Sequence, residues 1–197
     1  NFSTGVATGA SIGTDTLTSI ERAIGSNYND VLIGSSSDEG FTGELGDDSI
    51  DGGDGWDYVW YGRAVAAISA NLTTGVVTGG EGTDSLSNIE GIMGSNFGDT
   101  LIGSDNADWF RPDQVNDLSG PNYSVGGDDY MDGKEGVDGV SYYANHAAVA
   151  GGTFTGISAN LSTGVVIDEL GNTDTVINIE NLEGSRYNDI IVGNDVD

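Results

Sequence analysis

Residues 52–60 read Gly-Gly-Asp-Gly-Trp-Asp-Tyr-Val-Trp. The first six are polar and glycine-rich, as suits a turn that needs positive backbone angles, and the last three are strand formers with valine at their centre. Such a unit is a turn followed by a very short strand. It closes a tandem of four, because GSNYNDVLI, GSSSDEGFT, GELGDDSID and GGDGWDYVW run without interruption from Gly25 to Trp60. A second series begins at Gly94 with GSNFGDTLI and GSDNADWFR, stretches to twelve residues in PDQVNDLSGPNY (112–123), and resumes with SVGGDDYMD and GKEGVDGVS, ending at Ser141. A further unit, GSRYNDIIV, begins at Gly184.

Two nonapeptides make one coil of eighteen residues, so that units n and n+2 stack on the same edge of a solenoid. Period-two alternation sends the eighth residue of each unit inward (Leu32, Phe41, Ile50, Val59, Leu101, Phe110, Met131, Val140, Ile191) and the seventh and ninth outward. One inward apolar side chain per nine residues makes a thin core. Stacking also brings the sixth-position carboxylates of units n and n+2 to about one strand spacing, ~4.8 Å. Like charges at that distance repel, and a hard divalent cation bound by carboxylate and carbonyl oxygens relieves the conflict. Ca²⁺ suits a flexible site of about six to eight oxygens better than Mg²⁺.

The candidate ligands are therefore Asp30, Glu39, Asp48 and Asp57 in the first series, Asp99, Asp108, Asp117, Asp129 and Asp138 in the second, and Asp189 in the third. Glu21, Glu90 and Glu180 each precede a motif aspartate by nine residues and are expected to open the ladders. Counting every unit as half a coil pairs Glu21, Glu39 and Asp57 on one edge against Asp30 and Asp48 on the other. In the second series it pairs Glu90, Asp108 and Asp129 against Asp99, Asp117 and Asp138. The ceiling is about seven ions, since n stacked acids offer n−1 gaps for a bridging cation of this kind. Seven divalent ions would take the formal charge of −27 to −13.

A longer repeat encloses these series. Asn1–Gly34, Asn71–Gly103 and Asn160–Gly193 align almost without gaps, and the chain reads as a piece of a longer array. Its blocks are 1–61, 62–142 and 143–197, expected as one continuous solenoid. Between the series, AISANLTTGVVTG (67–79) and GISANLSTGVVID (156–168) each place two alternating runs around a short turn, which predicts β-hairpins. The fold class expected is all-β, a parallel β-roll or β-solenoid interrupted by hairpins and almost free of helix.

Composition narrows the function. With 32 acidic against 5 basic residues, the chain is not an electrostatic binder of nucleic acid or of anionic membranes. There is no cysteine for a disulfide or thiolate site, and no apolar run approaches the length of a membrane span.

The units resemble the RTX, or hemolysin-type, calcium-binding nonapeptide G-G-x-G-x-D-x-U-x, in which GGDGWDYVW matches every defined position. The longer repeat, with its NL-TG and IE-GS signatures, is similar to connecting segments of large secreted or surface RTX proteins of bacteria. The resemblance implies a secreted or cell-surface location, passage through a type I secretion channel, several bound Ca²⁺ ions, neighbouring domains in a larger chain, and no catalysis.

Aromatic side chains offer the second reading. Tyr58 and Trp60 occupy outward positions with Trp56 close by, and Trp109 and Arg111 repeat the arrangement. Such a platform could stack a sugar ring, and the RTX modules of alginate-modifying enzymes are similar, so the alternative is a module that binds an acidic polysaccharide. The competing expectation is that the segment 64–79 covers these rings. His146, the single histidine, reads as an insertion residue rather than a general base, and carboxylates recurring at a structural period are poorly suited to a unique active site. The Asn-x-Ser/Thr sites at Asn1, Asn71, Asn122 and Asn160 read as turn chemistry.

Overall fold

A computed structural model of the chain describes residues 1–9, 13–113, 126–143 and 155–194. Among these residues the fold is all-β, with no helix. Two sheets of stacked strands face each other, one of eleven strands and one of seven, and a separate antiparallel pair joins Val6–Gly9 to Gly13–Thr16. Successive nonapeptides alternate between the sheets: Val31–Ser35 and Ser49–Gly53 lie in the wide sheet, while Arg22–Ile24, Gly40–Thr42 and Tyr58–Trp60 lie in the narrow one. Each is parallel to its neighbour eighteen residues on, with the eighth positions in register: Ala23, Phe41 and Val59, then Leu32 and Ile50. This is the β-roll that the period demands.

The inward stack of the narrow sheet continues from Val59 through Ile92, Phe110 and Val140 to Leu182. Phe41, Ile50, Val59, Leu101, Phe110, Met131 and Val140 are all at most 1% exposed. Leu32 is only partly buried and Ile191 stays 46% exposed, because both belong to outermost coils that have a neighbour on one side only.

The predicted hairpins are three-stranded meanders. Ile68–Asn71, Val76–Gly79 and Gly82–Ser87 run antiparallel to one another within the wide sheet, between Ser49–Gly53 and Thr100–Ile102. Ser158–Asn160, Val165–Ile167 and Thr173–Ile177 repeat the arrangement. In each meander only the last strand completes a coil; the other two widen one sheet alone, which accounts for eleven strands facing seven. At ~4.8 Å per strand, each insertion lengthens the wide sheet by about 10 Å that the narrow sheet does not match. Its inner face is closed by Tyr61 and Ala64 in the first insertion and by Tyr142 and Ile157 in the second, all within one continuous core. The turns Asn-Leu-x-Thr-Gly close by the chemistry expected of them. Asn1 and Asn71 accept the amides of Thr4 and Thr74 at 2.9 and 3.0 Å, and Gly5 and Gly75 take φ of +64° and +66°. Asn122 and His146 lie outside the described residues.

The core is one residue wide, so the cost of truncation should depend on position along the stack. Phe110→Ala is expected to destabilise the calcium-loaded chain by ~3–5 kcal/mol. Ile191→Ala should cost well under half of that, as read from denaturant unfolding of the two variants.

Candidate metal centre

The sixth-position acids do form ladders along both rims, and each rung is a backbone-to-carboxylate hydrogen bond. On the rim that leads into the wide sheet, the amide of Asp30 donates to Asp48 Oδ1 at 2.8 Å and that of Asp48 to Asp84 Oδ1 at 2.9 Å. Beyond the insertion, Asp99 donates to Asp129 Oδ1 and Asp129 to Asp174 Oδ1, at 2.6 and 2.9 Å. On the other rim, Glu39 donates to Asp57 Oδ1, Asp57 to Glu90 Oε2, Asp108 to Asp138 Oδ1 and Asp138 to Glu180 Oε2, all within 2.7–2.9 Å. Asp189 accepts from Ile157 at 2.9 Å.

Two features differ from the sequence-based register. Asp129 stacks on Asp99 and Asp138 on Asp108, so Asp129 does not follow Asp108 on its edge, and Asp138 does not share the edge of Asp99. Tyr130–Asp132 lies in the wide sheet beside Thr100–Ile102, and Gly139–Ser141 in the narrow sheet beside Trp109–Arg111, and this pairing sets the register. Asp117 lies outside the described residues. Glu90 and Glu180, expected to open ladders, also close the preceding ones by accepting from Asp57 and Asp138. Their turns are three residues short, with left-handed Asn88 (φ 52°) and Asn178 (φ 53°), and there the longer glutamate reaches the rung that an aspartate makes elsewhere. Glu21 sits at the end of its rim, where its carbonyl accepts from Gly40 at 2.9 Å.

The turns fall into two kinds. Where serine follows the first glycine, it closes the carboxylate internally. The Ser95 and Ser104 amides donate to Asp99 and Asp108 Oδ2 at 2.6 Å, the Ser26 and Ser35 amides likewise to Asp30 and Glu39, and the Ser185 hydroxyl to Asp189. Where glycine, glutamate or lysine follows, that residue is left-handed instead: Glu44 φ 70°, Gly53 φ 99°, Lys134 φ 75°. The fourth-position glycines Gly46, Gly55 and Gly136 of the same turns are also at positive φ. Here no serine reaches the acid, and Asp48 Oδ2 and Asp57 Oδ2 are buried without a hydrogen-bond partner, as is Asp129 Oδ2.

First glycines line these turns because nothing larger fits. A methyl on Gly52 would sit 2.6 Å from Asp57 Oδ2 and against the Asn88 carbonyl. One on Gly103 would meet Gly133 O at 2.5 Å and Asp108 Oδ2 at 2.6 Å. Around these glycines the turns bring carboxylate and carbonyl oxygens together, a donor set that fits a hard cation such as Ca²⁺. No group of three or more acidic or histidine side chains is preassembled for a metal among the described residues, in keeping with sites built from two carboxylates and backbone oxygens.

Sequence reasoning missed Asp84 and Asp174. Yet Gly79–Ser87 reads GGEGTDSLS, a complete nonapeptide, and was hidden by its overlap with the hairpin repeat. It missed Glu81 of the same nonapeptide, and Asp113 and Glu169, which are buried without any motif to mark them.

The aromatic residues are arranged to pack rather than to present a platform. Tyr58 lies over Gly40 and Trp109 over Gly139, each ring occupying the place a Cβ would take on the neighbouring strand. Trp60 is 8% exposed, held between the guanidinium groups of Arg22 and Arg63 at 5.0 and 5.4 Å. Arg111 is half-buried. Of the set only Trp56, tilted against Tyr58 at 6.2 Å, is openly exposed.

A family model described as the RTX calcium-binding nonapeptide repeat matches in four copies, over residues 11–39, 41–64, 92–118 and 177–195, just over half of the chain. The chain belongs to this family. No curated protein matches it. RTX repeats bind Ca²⁺, several ions to a domain, and form a structural module, so this chain is a calcium-binding β-roll.

Burial raises the Asp48, Asp57, Asp99 and Asp138 carboxyls to about 6. Repulsion along the ladder adds to this: Asp84 acts on Asp48, Glu39 and Glu90 on Asp57, and Asp108 on Asp138. A carboxyl raised above its unfolded value of ~3.9 stabilises the fold below that value and loses the contribution as pH climbs through the folded value. In EGTA the chain is therefore expected to gain β structure between pH 7 and pH 4.5, read by circular dichroism. In calcium the dependence should reverse, because protons compete for the same oxygens. A metal-free chain equally disordered at both pH values would contradict the assigned burial.

Proposed function

We propose that the chain is a calcium-folded spacer in a secreted or surface-bound bacterial protein, which holds or presents neighbouring domains and stays disordered until it reaches a calcium-rich exterior. The observation that carries this reading is the set of buried carboxylate oxygens with no partner at Asp48, Asp57 and Asp129. A chain of formal charge −27 with so thin a core has little to offset that desolvation, and metal binding would supply folding free energy directly.

On this reading calcium is held first where neither stacked turn is closed by serine. The pairs are Asp48 with Asp84, Asp57 with Glu90, Asp129 with Asp174 and Asp138 with Glu180, helped by the carbonyls around Gly52 and Gly133. Glu21, Asp30, Glu39, Asp99, Asp108 and Asp189 extend the ladders from turns that have their own fastening or lie at an end. The cytosol is poor in free calcium and the exterior rich in it, so folding would follow export through a secretion channel. The polysaccharide alternative has less to rest on, since Trp60 is covered and Tyr58 and Trp109 are spent on glycines.

Adding CaCl₂ to the metal-free chain should convert a coil spectrum to a β spectrum, and an unchanged spectrum at millimolar calcium would overturn the reading. Asp57→Asn and Asp138→Asn should lower Tm in calcium and weaken calcium binding. Ser104→Ala should cost ~1 kcal/mol, the worth of a hydrogen bond, without changing the number of ions held.

A further inference from the structure

Each insertion opens a wedge in one rim of the roll. Gly91–Met93 pairs directly with Trp109–Arg111 in the narrow sheet, yet Gly82–Ser87 and Thr100–Ile102, which run to the same rim, are held apart in the wide sheet by the two hairpin strands. The turns that bridge the sheets there meet at one side and stand two strand spacings, about 10 Å, farther apart at the other. The hairpin turn roofs the gap, with Thr73 Oγ1 donating to the Gly103 carbonyl at 2.8 Å, and a cavity of about 140 Å³ remains beneath it. The second insertion repeats the geometry. Asn181–Glu183 pairs directly with Gly139–Ser141, Thr173–Ile177 is held apart from Ile190–Val192, Ser162 Oγ donates to the Gly193 carbonyl at 3.0 Å, and the cavity measures about 230 Å³. At ~30 Å³ per water the two have room for roughly five to eight waters. No rung of the ladder crosses the first wedge, because the Glu90 amide donates to the Asp57 carbonyl and the Ser104 amide and hydroxyl serve Asp108.

The two cavities share a chemistry. Each has an apolar floor, made of Leu72, Leu86 and Ile89 in the first and of Leu161, Val176 and Ile179 in the second. Hydroxyls and carboxamides stand around it: Ser87, Asn88, Ser104 and Asn106 in the first, Ser162, Thr163, Asn178 and Asn194 in the second. The long repeat places Asn88 with Asn178 and Ser104 with Asn194. The side chains of Ser87, Asn106 and Asn194 make no hydrogen bond with another described residue. Glu90 is the one charged group that lines the first cavity, and none lines the second. A charged ligand would find no counter-charge common to both, and an anion would enter against the field of a chain at −27. What recurs suits a ligand that is amphipathic in the same sense, with hydroxyls for groups that donate and accept and an apolar C–H face for the floor. We infer that each wedge binds one pyranose ring of an uncharged saccharide. The site lies on the rim and uses none of the aromatic side chains of the narrow sheet. It needs the folded roll and is independent of which rungs hold ions.

The test is a heteronuclear NMR titration of the intact chain in calcium, its fold checked by circular dichroism, with the methyl glycosides of glucose, galactose, mannose and N-acetylglucosamine, and with galacturonate as the charged counterpart. At least one neutral glycoside should move the amides of 87–90 and 104–106 together with those of 177–179 and 194, saturating in the millimolar range, while galacturonate moves neither set. Asn106→Trp, which sets an indole in the first mouth from an exposed position, should weaken binding there by at least about tenfold and leave the second site as it was. Asn194→Trp should do the reverse. Where either variant does not fold, Asn106→Ala and Asn194→Ala remove only the carboxamide and should weaken the same sites in turn. No response of these amides to any neutral glycoside at tens of millimolar overturns the site. So does galacturonate binding equally well, or a first site indifferent to both changes at Asn106. Sugar binding by a chain whose circular dichroism ignores calcium would leave the wedges standing and sink the calcium reading.

Discussion

Parallel stacking of identical turns forces like charges together, and the rest of this molecule follows from how that repulsion is absorbed. A coil of eighteen residues returns each sixth-position acid to the rim about 4.8 Å from its neighbour, because that is the separation of hydrogen-bonded strands. The backbone takes up part of the conflict by donating an amide from one turn to the carboxylate stacked on it, as from Asp48 to Asp84 and from Asp57 to Glu90. The remaining oxygen is the variable. A serine at the second position gives it an amide, while the serine hydroxyl bonds the other oxygen, as in Ser95 with Asp99. A left-handed residue there leaves it bare, as at Glu44 before Asp48. One repeat thus contains both a turn whose acid is fastened internally and a turn whose acid keeps a buried oxygen unpaired, and the difference lies in a single side chain.

The insertions show how far the roll tolerates irregularity. Two extra strands enter the wide sheet at each meander and none enters the narrow one, so continuity is kept by a turn shortened to Asn-Ile-Glu, in which Ile89 and Ile179 are buried and the glutamate stays on the rim. Asn88 and Asn178 tie the shortened turn back, donating to Asp51 and Asp132 at 2.7 and 2.8 Å. Aromatic rings on the outer face meet the same need in another way. Tyr58 and Trp109 cover the glycines of adjacent strands, which would otherwise leave gaps on a surface that is only three residues wide.

Much of this was readable in advance because the repeat period is shorter than anything tertiary structure could override. The inward set from Phe41 to Val140 and the parallel pairing both follow from nine residues taken twice. The second-series register was not readable, because residue count cannot tell whether a stretched unit advances the register by half a coil, and the strand after it, Tyr130–Asp132, pairs with Thr100–Ile102. What covers Trp60 was not readable for a different reason: alternation gives the direction of a side chain and says nothing of what the chain folds over it, here Arg63 from the next turn and Arg22 from two strands away. Asp113 and Glu169 carry no pattern at all, since they come together only when the meander docks.

A thin core and charged rims also set how cooperative the fold can be. The hydrophobic stack alone joins each coil to the next through a single side chain per sheet, so its strength grows only linearly with the number of coils, as in other one-dimensional arrays. A cation shared between turns n and n+2 couples the same neighbours a second time, and it does so only when both turns are already formed. On the proposed reading, binding at one rung would therefore favour the next. A roll fastened in this manner has little structure to gain from partial occupancy, which is what a chain required to be either threadable or rigid, and not in between, would need.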